Sequence, residues 1–145
     1  MNKMIRRTDP TEHQIVSGVM DFARITLVEI PPGLFDHNCL SLLETQRIPL
    51  IYFFVKITNE GKRSFGHMKY LKKEGFNKGV SDSFLAYPVM KEGRIGLWME
   101  AKSKKGKVSR DQERWSGLMK LMGYDSVIYR SVDEGIKTIK DYLGI

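Results

Sequence analysis

The stretch Leu97-Trp98-Met99-Glu100-Ala101-Lys102 constrains this chain more than any other. It reads as a strand, and strand side chains alternate between two faces. Leu97, Met99 and Ala101 share an apolar face, which has to be buried against a second layer. Trp98, Glu100 and Lys102 share the other face, so a carboxylate stands beside an ammonium with Cα atoms about 6.6 Å apart. Upstream, Gly79-Val80-Ser81-Asp82 leads into a second strand-like run, Ser83 to Tyr87, and Lys91-Glu92-Gly93 supplies a turn between the two. Two such runs around a Gly-containing turn predict a hairpin. With the turn centred near Lys91 and Glu92, opposed residue numbers sum to about 182 to 183, which sets Asp82 opposite Glu100 or Ala101. Two carboxylates and a lysine then meet at one end of the hairpin. That is an oxygen-rich site for a hard divalent cation with a cationic partner beside it. The plainer alternative is a surface salt-bridge cluster, worth under about 1 kcal/mol.

Length and composition narrow the classes. At 145 residues, with 41% hydrophobic and 28% charged residues, the chain reads as one soluble globular domain spanning 1–145. Residues 1–8 read as a flexible basic N-terminus. The net charge of +7 suits a polyanionic partner without demanding one. Cys39 is the single cysteine, which excludes an internal disulfide and a cysteine-based zinc site. No run approaches the roughly 20 apolar residues of a membrane span. The basic start lacks an apolar signal segment, so the expectation is a cytoplasmic protein without a membrane partner.

Taken in order, Asp9-Pro10-Thr11-Glu12 predicts a helix start with Asp9 as N-cap and Glu12 closing a capping box. Ile15, Val16, Val19, Met20 and Ala23 follow at helical spacing. Residues 31–47 read as a connection with a short helix around 40–44, and His37 as a surface residue. Ile48 to Ile57 is β-branched, aromatic and nearly continuous in apolar residues, which predicts a strand buried on both faces with Pro49 at its start. Thr58 to Arg63 is an Asn/Gly turn with a basic end. Ser64 to Glu74 reads as a helix. Its Lys69, Lys72 and Lys73 suit phosphate or plain solvent equally well. Lys104, Lys105 and Lys107 lie in a flexible loop adjoining Lys102, where they suit phosphate contacts. Ser109 and Gln112 predict a capping box opening a helix whose core face is Trp115, Leu118, Met119 and Met122. Tyr124 to Arg130 is a further strand. Ser131 to Glu134 forms another capping box, and Val132, Ile136, Ile139 and Leu143 make the last helix amphipathic. A strand, a helix and a strand in this order predict a crossover, with the last strand parallel to the Glu100 strand.

The ordered set Gly79-Val80-Ser81-Asp82, Glu100-x-Lys102 and Ser109-x-x-Gln112 resembles the PD-(D/E)XK nucleases and, more narrowly, the VRR-NUC domain, over about Thr11 to Leu143. The departure is Ser81, where that family usually has proline. The resemblance implies an α/β, restriction-endonuclease-like domain with a mixed central sheet flanked by helices. It implies Mg²⁺ or Mn²⁺ on Asp82, Glu100 and the backbone carbonyl of Ala101, with Lys102 orienting water or stabilising transition-state charge. It also places Gln112 close to the catalytic centre and makes Glu12 an acidic residue of the first helix facing the metal. Asn59, Lys62 and Arg63, as a similar Asn-Gly-basic segment, then approach the scissile strand alongside Lys69 and the loop lysines.

The expected function is a metal-dependent DNA endonuclease acting on branched DNA such as four-way (Holliday) junctions in replication, repair or recombination. Standalone phage or bacterial members suggest a homodimer and no nucleotide cofactor. The alternative is a non-catalytic basic DNA-binding module. A restriction-type enzyme is a weaker third reading, because no insert is large enough for a base-reading element.

Overall fold

The chain is described by a computed structural model at residues 8–29, 47–57, 69, 71, 73, 75 and 77–145. Helix α1 (Glu12–Ile25) leads into β1 (Leu27–Glu29), which pairs antiparallel with β2 (Arg47–Pro49). The main sheet has the order β3 (Phe54–Lys56), β4 (Ser83–Leu85), β5 (Leu97–Ala101), β6 (Asp125–Tyr129). Its first three strands are antiparallel, and β6 lies parallel to β5. Helix α2 (Arg110–Leu121) makes the crossover between β5 and β6, and α3 (Val132–Leu143) closes the chain. The result is the mixed sheet flanked by helices that the sequence predicted.

Alternation along β5 decides which side becomes the core. Leu97, Met99 and Ala101 are buried, as are Ile15, Val19 and Ala23 of α1 and Ile139 and Tyr142 of α3. The apolar face of β5 thus packs under the α1–α3 layer, and α2 covers the other face. There Trp98 meets Trp115 edge-to-face at 5.6 Å and Ser126 Oγ donates to Ser116 Oγ at 2.9 Å.

The hairpin register follows the expected sum: Ser83 pairs with Met99, Phe84 with Trp98 and Leu85 with Leu97. A 3₁₀ turn at Met90–Glu92 forms the tip, ending on Gly93 in the left-handed region, and Val89 bridges Arg94.

Several expectations are corrected. The long strand over 48–57 is broken, because Pro49 has no N–H for a ladder and Leu50 turns into the core. Leu50 N donates to Thr26 O at 2.8 Å, a 3₁₀ turn spans Leu50–Phe53, and Tyr52 is turned out to solvent. Pro49 therefore closes β2 instead of opening a strand. In β3, Val55 and Lys56 are exposed, so this strand is not buried on both faces.

The N-cap of α1 is Thr11, not Asp9. Thr11 Oγ1 accepts from Gln14 N at 3.2 Å, and Gln14 Oε1 accepts from Thr11 N at 2.9 Å. Thr11-x-x-Gln14 satisfies both backbone donors at once, and Glu12 is left out of the box. At α3, Ser131 caps Glu134 N, but Glu134 Oε2 accepts from Arg130 N at 2.7 Å, so the reciprocal half of that box is missing.

Helix α2 has no fully buried residue: Leu118 is 46% exposed and Met122 68%. Gln112, Trp115, Ser116 and Met119 take the sheet side, and the expected core face overhangs it at its C-terminal end. Of the helix expected over 64–74, Lys69, Leu71 and Lys73 are helical. The expected short helix around 40–44, His37 and the basic N-terminus lie outside the described residues.

Candidate active site

The C-terminal end of β5 is where four elements bring polar side chains together. Lys102 extends the ladder one step past β5, its N–H donating to Tyr129 O at 2.9 Å. This keeps Lys102 on the Glu100 side of the sheet, and its Nζ stands 2.7 Å from Glu100 Oε1. Asp82 sits where the register sets it, across from Glu100, and its backbone N–H donates to Glu100 Oε2 at 3.0 Å. Gln112 caps the first turn of α2 with Oε1 at 2.9 Å from Ser109 N and donates through Nε2 to Glu100 Oε1. One glutamine therefore fixes a helix start and a carboxylate together.

Glu12 arrives from the opposite layer. Its Oε1 accepts from Ser103 N at 3.1 Å, which ties α1 to the loop after Lys102. Arg130 holds the same loop from the end of β6, with Nη1 donating to Ser103 O at 2.8 Å and Gly106 O at 2.9 Å. The exposed Lys104, Lys105 and Lys107 stand on this anchored loop. No local pattern marks Arg130, because its partners are backbone carbonyls more than twenty residues away.

Gly79 explains how the loop before Asp82 reaches α2. Its φ is +81°, and a Cβ there would lie 2.2 Å from Asp111 O and 2.7 Å from Gln112 N. Only glycine combines this backbone conformation with so close an approach. The 79–82 segment is thereby set on the first turn of the helix that carries Gln112.

Burial separates this cluster from a surface ion pair. The side chains of Lys102 and Glu100 are 12% and 3% exposed. Burial pushes the Glu100 carboxyl above its ordinary range; the Lys102 hydrogen bond opposes this and the Asp82 charge adds to it. For Lys102 burial pulls the ammonium down, but the hydrogen bond and charge of Glu100, with Glu12 and Asp82, outweigh it and leave the pKa raised. Lys102 is therefore a cation at neutral pH and no proton acceptor. Beneath the carboxylates, Tyr129 Oη is buried with no hydrogen-bond partner among the described residues.

Of the residues the sequence singled out, Asp82, Glu100, Lys102, Gln112 and Glu12 converge here, and Ala101 lies between Glu100 and Lys102 in the strand. Lys69 is exposed and helical. Asn59, Lys62 and Arg63 lie outside the described residues. Among the described residues, no three His, Cys, Asp or Glu side chains gather as a metal cluster. The donor set available to a cation is two carboxylates and a carbonyl. These are hard oxygen donors of the kind Mg²⁺ takes while keeping several waters. The chemistry of these donors fits that ion.

No protein-family profile matches the sequence, and no curated protein sequence does either. A solved structure described as a VRR_NUC domain protein superimposes with a TM-score of 0.68, covering 94% of this chain and 91% of that one at 16% sequence identity. The chain therefore has the fold of a VRR_NUC domain protein.

Proposed function

We propose that this protein is a metal-dependent DNA endonuclease that hydrolyses phosphodiester bonds, selective for branched DNA such as four-way junctions. The observation that carries this reading is the convergence of Asp82, Glu100 and Lys102 at one buried end of β5, on a fold shared with a VRR_NUC domain protein.

Asp82, Glu100 and the Ala101 carbonyl would hold Mg²⁺ or Mn²⁺, which supplies Lewis-acid and water-activating chemistry when bound. Lys102, fixed by Glu100 and protonated at neutral pH, places a positive charge where charge develops on the phosphate. Gln112 keeps the Glu100 carboxylate in one orientation and has no titratable group of its own. Glu12 fixes Ser103 and with it the start of the basic loop. Lys104, Lys105 and Lys107 meet the flanking phosphates of a polyanion. Asn59, Lys62, Arg63 and Lys69 serve the same strand in this reading. Cutting two strands of a junction symmetrically requires two sites, so the working unit is a homodimer.

The test is cleavage of labelled four-way junction, flap, duplex and single-stranded DNA with Mg²⁺, Mn²⁺ or EDTA. Paired nicks near the branch are expected with either metal, none in EDTA, and none with Asp82→Asn or Lys102→Ala. Binding to DNA without cuts under any metal would instead place the protein among non-catalytic DNA-binding modules.

A further inference from the structure

On the α2 side of the carboxylates lies a second feature that the cleavage chemistry leaves unused. A cleft of about 440 Å³ opens between the turn at Asn77 and Lys78 and one flank of α2, lined there by Asp111, Arg114, Trp115 and Leu118. These four helix positions are spaced i, i+3, i+4, i+7, so they form one continuous stripe. The size lies within the roughly 300–1,000 Å³ typical of ligand sites.

The cleft adjoins the active site through the backbone. Gly79, directly after Lys78, sits against Asp111 and Gln112, and three residues later the chain reaches Asp82. The backbone that carries Lys78 is thereby set against the helix turn that carries Gln112. The lysine loop at 103–107, by contrast, is anchored by Glu12 of α1 and by Arg130 at the end of β6. Cations thus stand on two separately anchored segments near the β5 end.

The chemistry of the lining is mixed in a particular way. Lys78 and Arg114 supply positive charge, while Trp115 and Leu118 supply an aromatic and an aliphatic wall. Trp115 is held in place edge-to-face by Trp98. Cations beside an apolar, aromatic wall suit a nucleotide, whose phosphate is charged and whose sugar and base are not. Among the described residues Asp111 is the one negative group in the lining, and it disfavours a phosphate at its own end.

We propose that this cleft seats the nucleic-acid strand flanking the scissile phosphate, with Lys78 and Arg114 on its phosphates and Trp115 and Leu118 against its sugar or base. The inference rests on the nuclease reading for its substrate and adds a contact surface on the α2 side. With cations on both the α2 cleft and the 103–107 loop, the strand crosses the end of β5 instead of ending there.

The test is binding, not cleavage. Anisotropy of a labelled four-way junction is titrated in EDTA at several salt concentrations. The proteins are wild type, Lys78→Ala/Arg114→Ala, Asp111→Asn and a charge-matched control, Lys91→Ala/Lys137→Ala, whose residues lie at the hairpin tip and on α3. The cleft variant is expected to bind at least about tenfold more weakly, with a salt slope shallower by about 2. Asp111→Asn is expected to bind a few-fold more tightly, which a merely structural cleft would not produce. Cleft variants that titrate with wild type, or a control that loses as much affinity, would overturn the assignment while leaving the nuclease reading intact. Wild type that fails to bind DNA at low salt would overturn the nuclease reading and the cleft with it.

Discussion

Two lysines in this molecule stand against carboxylates at nearly the same distance, and almost nothing else about them is alike. Lys102 Nζ is 2.7 Å from Glu100 Oε1, with side chains 12% and 3% exposed. Lys137 Nζ is 2.5 Å from Asp141 Oδ2 one turn along α3, with side chains 75% and 64% exposed. Water already solvates the second pair, so its attraction is screened. The first pair has given up much of its hydration, and each partner depends on the other. Distance alone would rank the two as equals. Burial, and the further donors that Glu100 draws from Asp82 and Gln112, separate a site from a surface.

The largest effect should come from breaking the buried pair. Lys102→Ala leaves Glu100 buried without its counter-charge, which is expected to cost about 2–4 kcal/mol in urea unfolding. Cleavage should fall about 10²–10³-fold beyond what the folded fraction explains. Equal urea midpoints for Lys102→Ala and wild type would show that water reaches Glu100 as freely as it reaches Asp141.

Cation addition sharpens the same contrast. If Mg²⁺ or Mn²⁺ binds at Asp82 and Glu100 as proposed, it would stabilise the folded state by about 2.7 kcal/mol at a hundred times its dissociation constant. A rise in Tm on titration is expected for wild type and for Lys137→Ala, and none for Asp82→Asn. The same rise in Asp82→Asn would move the cation elsewhere.

Gln112 tests the neutral partner of the pair. Gln112→Ala removes a hydrogen bond to a buried carboxylate and one half of a capping box, together about 1–3 kcal/mol. Gln112→Glu keeps an acceptor for Ser109 N but sets a second carboxylate against Glu100. It should therefore preserve the helix start and still lower cleavage. If Gln112→Glu cleaves as well as wild type, the contact to Glu100 has no part in the chemistry.

The tyrosines repeat the comparison without charge. Tyr142 Oη donates to Tyr87 O at 2.7 Å, whereas the buried Tyr129 Oη has no partner among the described residues. Tyr142→Phe should cost about 1 kcal/mol, and Tyr129→Phe close to nothing. Burial, with the Asp125 charge, pushes Tyr142 from 10.0 up to about 12. The unfolded chain therefore loses this proton first. Stability from Tyr142 is complete below pH 10 and declines as pH rises from 10 toward 12. A shallower alkaline decline in Tyr142→Phe than in wild type, by urea midpoints across that range, is the expected result.

How far the sequence carried these contrasts depended on the range of the signal. The period-two pattern of β5 and the hairpin sum are local, and they placed Asp82 against Glu100 correctly. Ser109-x-x-Gln112 is also local, and its box formed. At α1 two overlapping cap signals competed, and Thr11 with Gln14 won because it satisfies two donors where Asp9 would have had to carry the helix through Pro10 and Thr11. The run 48–57 misled because its apolar residues serve different neighbours: Leu50 the α1 core, Phe54 the β4 edge. On α2 the apolar spacing was genuine, but β5 and β6 offer short faces of five residues each. Nothing local in a helix reports how much sheet lies under it. The Arg130 clamp and the Gly79 approach join residues far apart in the chain, and no spacing rule reaches them.

The smallest effect belongs to the other end of the opening comparison. Lys137→Ala removes an i,i+4 pair that stands in solvent on both sides. Such pairs contribute about 0.3–0.5 kcal/mol at low salt and less as salt rises. Its acid lies C-terminal to its base, the weaker orientation along a helix, and Asp141 sits at the end of α3, where the dipole disfavours a carboxylate. The expected change in the urea midpoint therefore lies near the limit of measurement, and 0.5 M salt should erase it. Cleavage should be untouched, since α3 carries no group of the site. A loss comparable to that of Lys102→Ala would mean that proximity, and not burial, sets the worth of an ion pair in this fold.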